Sequence, residues 1–190
     1  MKFTKKEFSA TIDEKKSKFI SYLVPYGDFS KTMEKLRQEH PKAVHFVYAY
    51  RYLNEFFQVV ENSSDDGEPR GTSGRPALAV LSGAEIINSA VIIVRYFGGI
   101  KLGTGGLVRA YGDSVNEVIK VAEFFPYKKL ESHILECEYS LLGQVEYILS
   151  QNSVQIEEKI FETSVKIKIN IEKDDFNNLK SLLPREIKLV

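Results

Sequence analysis

Tryptophan is absent from the 190 residues, methionine occurs twice and cysteine once. A lone cysteine, Cys137, excludes an internal disulfide framework, and its place in the alternating stretch HILECEY makes it an inert, buried thiol. Net charge is missing as well: 26 basic side chains balance 26 acidic ones, so any electrostatic site has to be local. Divided after Tyr127, the chain carries 17 basic and 15 acidic residues before the cut and 9 and 11 after it, so neither part is a polybasic module. No purely apolar run is longer than that of residues 90–94, far short of the roughly 20 residues that cross a bilayer, and no membrane partner is expected. MKFTKKEFSA puts charges where a signal peptide needs an apolar run, which makes the expected location cytoplasmic. There is no internal repeat and no low-complexity tract.

Two nucleotide motifs are also wanting. In GGIKLGTGG, Gly98 and Gly103 have the spacing of a Walker loop, but Thr104 stands where lysine is needed. Gly103 and Gly105 begin a dinucleotide fingerprint whose third place is Val108. Neither pattern holds, and no cofactor is expected.

What is present is a 43% hydrophobic fraction, enough for real cores. Alternation and turn residues predict strands at 7–13 and 18–24, then a helix capped by Asp28 or Ser30 and ended by Pro41. HFVYAYRY alternates as a strand, with Phe46, Tyr48, Tyr50 and Tyr52 on one face and His45 on the other; a hairpin through residues 53–55 follows. PALAVLSG reads as a short helix capped by Thr72 or Ser73 with Gly83 just past its end, and SAVIIVRY as a buried strand. After the glycine-rich turn, LVRAYGDSVNEVIKVAEF is an amphipathic helix with Leu107, Ala110, Tyr111, Val115, Val118 and Ala122 near one face. Pro126 marks a boundary between domains 1–127 and 128–190. The second domain reads strand (133–139), helix (141–150), strand (154–161), strand (164–171), helix (174–183, capped by Asp174), strand (187–190), the βαββαβ order of a ferredoxin-like unit.

The segment DDGEPRGTSGRP, residues 65–76, holds almost nothing that could fill a core. Two predicted helix starts, at Thr72 and Thr104, follow glycines and expose amide N–H groups suited to phosphate or carboxylate. From residue 69 to 111 the ionisable side chains are Arg70, Arg75, Arg95, Lys101 and Arg109 against Glu85 alone. Brought together with Thr72, Gly99, Thr104, Gly105 and Gly106, these cations would form an anion site. The plainer alternative is that the glycines serve tight turns and the arginines pair with Asp65, Asp66 and Glu68. Those three acids are also candidates for a hard cation or a solvated turn. His45 with Asp65 or Asp66 could act as an acid/base pair, and Ser73, Ser82 or Thr104 as a nucleophile, although no spacing enforces either. The tyrosine face could stack bases or pack under a helix.

Three long stretches, KKSKFI, SDDGEPRGTSGRP and VRYFGGIKLGTGGLVRAYGDSV, together resemble the IMPACT family. HFVYAYR looks like the family's histidine-containing strand, with Phe46 where many members have a polar residue. The resemblance implies an α+β protein of the bacterial two-domain kind: a ribosomal protein S5 domain 2-like α/β two-layer sandwich followed by the ferredoxin-like unit. That pairing is similar to two domains near the end of elongation factor G, and it implies contact with RNA or the ribosome. Eukaryotic relatives, which carry an extra N-terminal domain, imply a role in translation regulation and a protein partner in that control. The residues themselves favour a non-enzymatic phosphate-binding protein, because no nucleophile, base or nucleotide motif is forced by spacing. The alternatives are an enzyme acting on a phosphorylated small molecule or nucleotide, with Asp65 or Asp66 holding a divalent metal and Arg70 or Arg75 the phosphate, and a module that docks an acidic protein.

Overall fold

A computed structural model describes residues 1–189, which divide into a compact unit Met1–Tyr127 and a second that starts at Lys128. In the first, the elements run β1 (Lys2–Phe3), β2 (Phe8–Glu14), β3 (Ser17–Pro25), α1 (Phe29–Glu39), β4 (His45–Leu53), β5 (Val59–Ser64), α2 (Gly74–Gly83), β6 (Ser89–Tyr96), α3 (Gly103–Val121) and β7 (Phe125–Pro126). Five of the strands form an antiparallel sheet in the order β2-β3-β6-β4-β5. SAVIIVRY belongs at its centre because it is apolar on both faces. Val91 and Ile93 pack with Phe19, Leu23 and Val47 under α2 and α3, while Ile92 and Val94 pack with Phe46 and Leu36 under α1. Each such side chain, fully withdrawn from water, contributes about 1.5–3 kcal/mol. Helices thus cover both faces, and α1 adds a third layer to the two-layer sandwich expected.

The tyrosine face of β4 is spent on packing. Phe29 of α1 lies 5.1 Å from the Tyr48 ring, and Tyr26 stacks on Tyr52 at 4.1 Å. On α3 the predicted stripe is buried at Leu107, Ala110, Tyr111, Val115 and Val118, and Ser114 joins it, its carbonyl accepting 2.8 Å from Ser21 Oγ. The helix begins four residues earlier than the apolar pattern indicates, because GTGG supplies its first turn. At the other end of α2, the residue with positive φ is Glu85 (54°), and Gly83 closes the helix. The hairpin between β4 and β5 turns over residues 54–58, where Asn54 Oδ1 accepts from the amides of Phe56 and Gln58. β1 pairs with β7, a two-residue match too short to leave any periodicity in the sequence.

The second unit comprises β8 (Leu130–Cys137), α4 (Leu142–Gln151), β9 (Ile156–Phe161), β10 (Val165–Glu172), α5 (Lys173–Leu182) and β11 (Lys188–Leu189). Its strands lie in the antiparallel order β11-β8-β10-β9, with Leu135, Val145, Leu149, Ile167, Ile169 and Phe176 in the core. Asp174 does not cap α5: the cap position is Glu172, without a side-chain bond, and Asp174 stands in the first turn beside Asp175, where the helix dipole favours it. Burial, then the nearby Glu146, pushes the Cys137 thiol up. Of the predicted last strand, Val190 lies outside the described residues.

Within GGIKLGTGG one glycine is there for close approach. A Cβ on Gly98 would lie 2.0 Å from the Lys16 carbonyl carbon, at the turn between β2 and β3. Gly105, by contrast, has nothing within 4 Å of that position. Gly98→Ala should therefore cost about 3 kcal/mol or more, and Gly105→Ala should be within about 0.5 kcal/mol of neutral, as read by urea unfolding of the two variants.

Candidate functional site

The acids of DDGEPRGTSGRP turn inward, each to a different task. Asp65 Oδ1 accepts from Ser73 N (3.2 Å), Ser73 Oγ (2.7 Å) and Gly74 N (2.9 Å), and Oδ2 from Gly71 N (2.7 Å). It is the anion at the α2 N-terminus, a position where Ser73 makes no side-chain cap of its own. Burial would raise the Asp65 carboxyl, but these hydrogen bonds outweigh it and hold the group below the ordinary aspartate range. Asp66 Oδ2 accepts from Phe46 N at 2.6 Å, and Oδ1 meets Arg37 at 3.4 Å. Its carbonyl accepts 2.7 Å from His45 Nδ1. Thr72 is buried and donates to the Pro69 carbonyl at 2.6 Å.

Glu68 goes deepest. Its Oε1 accepts from Arg95 Nη1 on β6 and from Tyr111 Oη on α3 at 2.7 Å, and lies 3.8 Å from His45 Nε2 on β4. The side chains of Glu68 and Arg95 are 3% and 6% exposed, so the ion pair is a core feature. His45 and Arg95 are register partners across β4 and β6, which brings both to the same carboxylate. The guanidinium also lies over the rings of Phe19 (5.3 Å) and Phe97 (5.7 Å), where the aromatic quadrupoles favour a cation. Burial, followed by the Glu68 carboxylate, pushes the Tyr111 phenol far above its usual range, so it stays a donor at every ordinary pH. His45 donates through Nδ1 to a carbonyl, leaving Nε2 as the acceptor in the neutral ring.

Beside this cluster opens a cleft of about 350 Å³. Pro69, Phe97, Leu102 and Leu107 give it apolar walls; Glu68, Arg95, Lys101 and Thr104 supply the polar groups. The N-terminus of α3 forms one side of it, at Gly103 (φ 74°) and Thr104, with no side-chain cap. Of the cations expected to act together, Arg95 and Lys101 meet here, while Arg70 in the loop, Arg75 on α2 and Arg109 on α3 are exposed and lie outside the lining. Gly99 and Gly105 are exposed and Gly106 half-buried next to the same helix start.

Four corrections follow from this geometry. Arg95 is neutralised by Glu68 and is no free phosphate ligand. Thr72 is committed to the Pro69 carbonyl. Asp65 and Asp66 are not a metal site, since their oxygens are taken up by amides, a hydroxyl and Arg37; among the described residues no three His, Cys, Asp or Glu converge on one point. Nor is His45 paired with an aspartate carboxylate: it meets the Asp66 carbonyl and Glu68. Tyr111 as a polar group and Phe97 and Leu102 as cleft walls are not evident from the sequence alone. Tyr111 was hidden inside an apolar helical stripe, and only the contact with Glu68, 43 residues away, reveals its role.

These features define a two-unit mixed α/β protein with a buried arginine–carboxylate cluster beside an open helix end. The Impact N-terminal domain family matches residues 15–119, and a domain of unknown function, DUF1949, matches residues 135–184. An IMPACT family member of Haemophilus influenzae is 36% identical over 160 residues, covering 83% of this chain and 78% of that one. For the IMPACT family member YigZ of Escherichia coli the identity is 39% over 140 residues, 72% and 69% of the two chains. A solved structure described as that of a hypothetical protein is 30% identical, with a TM-score of 0.63 over 100% of this chain and 95% of that one. The chain belongs to the IMPACT family.

Removing Arg95 by Arg95→Met should cost about 3–5 kcal/mol, because Glu68 is then an uncompensated buried charge, and adding Glu68→Gln should recover much of that loss in urea melts of the double variant. Asp65 behaves differently. Its folded pKa is depressed, so its contribution is present above the unfolded value of about 3.9 and is lost as pH falls through the lower folded value. Asp65→Asn should accordingly lower stability by about 1–2 kcal/mol at neutral pH and flatten its decline below about pH 4, measured by chemical unfolding across pH.

Proposed function

We propose that the protein is a non-enzymatic, RNA- or ribosome-associated regulator of translation that binds phosphate backbone through the surface around the α3 N-terminus. One observation carries this reading. Arg70, Arg75, Lys101 and Arg109 are exposed and have no ion-pair partner among the described residues, while Asp65, Asp66 and Glu68 are engaged by other groups of the fold. Lys101 stands beside the uncapped start of α3, and we read the other three, in the loop after β5, on α2 and on α3, as extending a local positive field in a protein of zero net charge; such a field positions phosphates with little reading of sequence. The enzyme alternative loses its metal ligands with Asp65 and Asp66.

The fold supports the same reading by analogy. We read the first unit as S5 domain 2-like and the second, with its βαββαβ order, as ferredoxin-like, the pairing that resembles elongation factor G. Family membership supports translation regulation as the process served, with the ribosome or a protein of translational control as the partner. No helix among the described residues is long and apolar enough to cross a membrane.

Four phosphate contacts predict that log affinity for single-stranded RNA falls with log salt at a slope of about −2.8. Arg75→Ala should lower the slope to about −2.1 and Arg75→Glu should remove most binding, with fluorescence anisotropy across a salt series as the measurement. An affinity independent of salt would overturn the phosphate reading.

A further inference from the structure

The unpaired surface cations account for phosphate binding but leave the shape of the cleft unexplained. It reaches inward to a charge: Arg95 is 5% exposed, lines the cleft, and has a buried Nε with no hydrogen-bond partner. Because that Nε is withdrawn from the cleft surface, the guanidinium offers a ligand there its charge rather than this donor. The walls, however, are apolar, and Phe97 remains 47% exposed at the mouth, its ring already held against Arg95. Phosphate alone would leave those walls wet. A volume of about 350 Å³ sits at the small end of the range for organic ligand sites.

Charge limits the ligand further. Lys101 and Arg95 face the cleft with Glu68, and the α3 N-terminus adds about half a positive charge, leaving between one and two positive charges in all. One phosphate group, as diester or monoester, matches that balance; a triphosphate exceeds it. Glu68 keeps an acceptor on the inner wall, where its Oε1 is already engaged by Arg95 and Tyr111 and its Oε2 makes neither of those contacts. An amino or hydroxyl group on the ligand would suit it.

We propose that the cleft holds one nucleotide unit, its phosphate at Lys101 and the Gly103 and Thr104 amides and its base against Phe97. This rests on the phosphate-binding reading and adds the other half of the ligand, whether an unpaired nucleotide of an RNA strand or a free nucleoside monophosphate. Base stacking on an exposed ring is tolerant of base identity, which suits a site with one polar reader.

The test is an amide NMR titration of the full chain, following Gly103, Thr104 and Gly105, with a short single-stranded RNA, adenosine monophosphate, ribose 5-phosphate, inorganic phosphate and ATP. Adenosine monophosphate or the RNA should move the Gly103 and Thr104 amides, with ribose 5-phosphate and ATP each weaker. Lys101→Glu and Phe97→Ser, both at exposed positions, should each weaken binding roughly tenfold while leaving the rest of the spectrum in place. RNA binding that depends on salt and Arg75 yet leaves those amides unmoved overturns the cleft and spares the RNA reading. Monophosphate binding at the amides without RNA binding keeps the cleft and overturns the RNA reading. Equal shifts from inorganic phosphate, with Phe97→Ser silent, overturn the nucleotide assignment.

Discussion

A guanidinium withdrawn from water has to meet a carboxylate with good geometry or it costs more than the surrounding core can return. Arg95 sits at the end of the most apolar strand of the sheet, and the side chain that answers it, Glu68, comes from a loop rich in glycine and charge. That one requirement fixes the path of the loop. Glu68 can reach Arg95 only if the chain after β5 folds back across β4 toward α3, and on the way it delivers Asp66 to the Phe46 amide and Asp65 to the start of α2. Tyr111 then closes the carboxylate from α3, and His45 of β4 lies beside it. A loop of this composition, which would be mobile if left to itself, is held by hydrogen bonds at nearly every second residue.

The same folding step sorts charge. Asp65, Asp66 and Glu68 are spent on amides, Arg37 and the buried cluster, while Arg70, Arg75, Lys101 and Arg109 point to solvent. In the linear sequence acids and bases stand close together; in the folded chain these four bases and three acids have separate surroundings. Four basic side chains are thereby left without an acidic partner in a protein whose overall charge is zero and whose sequence has no basic tract.

Much of the architecture was legible because it rests on local pattern. The β-branched run of β6, the alternation of β4 and the stripe of α3 each have one reading that buries their apolar atoms. The IMPACT signatures were legible for the same reason, as long stretches in order. What stayed hidden depended on contacts far apart in sequence. Nothing in DDGEPRGTSGRP states that Glu68 is buried while Arg70 is exposed, since both are charged residues two positions apart. The partner of Asp66, Arg37, lies 29 residues away in a helix that gave no sign of it. Likewise Gly98 and Gly105 look alike in GGIKLGTGG, and only the approach of the Lys16 backbone separates a glycine that has to be there from one that does not.

Two helices that both begin on glycine, α2 at Gly74 and α3 at Gly103, show how the same element can serve opposite ends. An exposed row of amides and the positive end of the helix dipole attract an anion in either case. At α2 the chain supplies its own, with Asp65 accepting from the amides of Gly71, Ser73 and Gly74, so that helix end is closed to any outside ligand. At α3 no side chain takes that part, and the carboxylate that lines the same cleft, Glu68, is engaged by Arg95 and Tyr111. The difference is set by which acid each loop can reach. Because Arg95 engages Glu68, the one carboxylate on the wall of this cleft is kept from capping α3 and the amides of Gly103 and Thr104 stay open, which makes the buried ion pair a determinant of the surface as well as of the core.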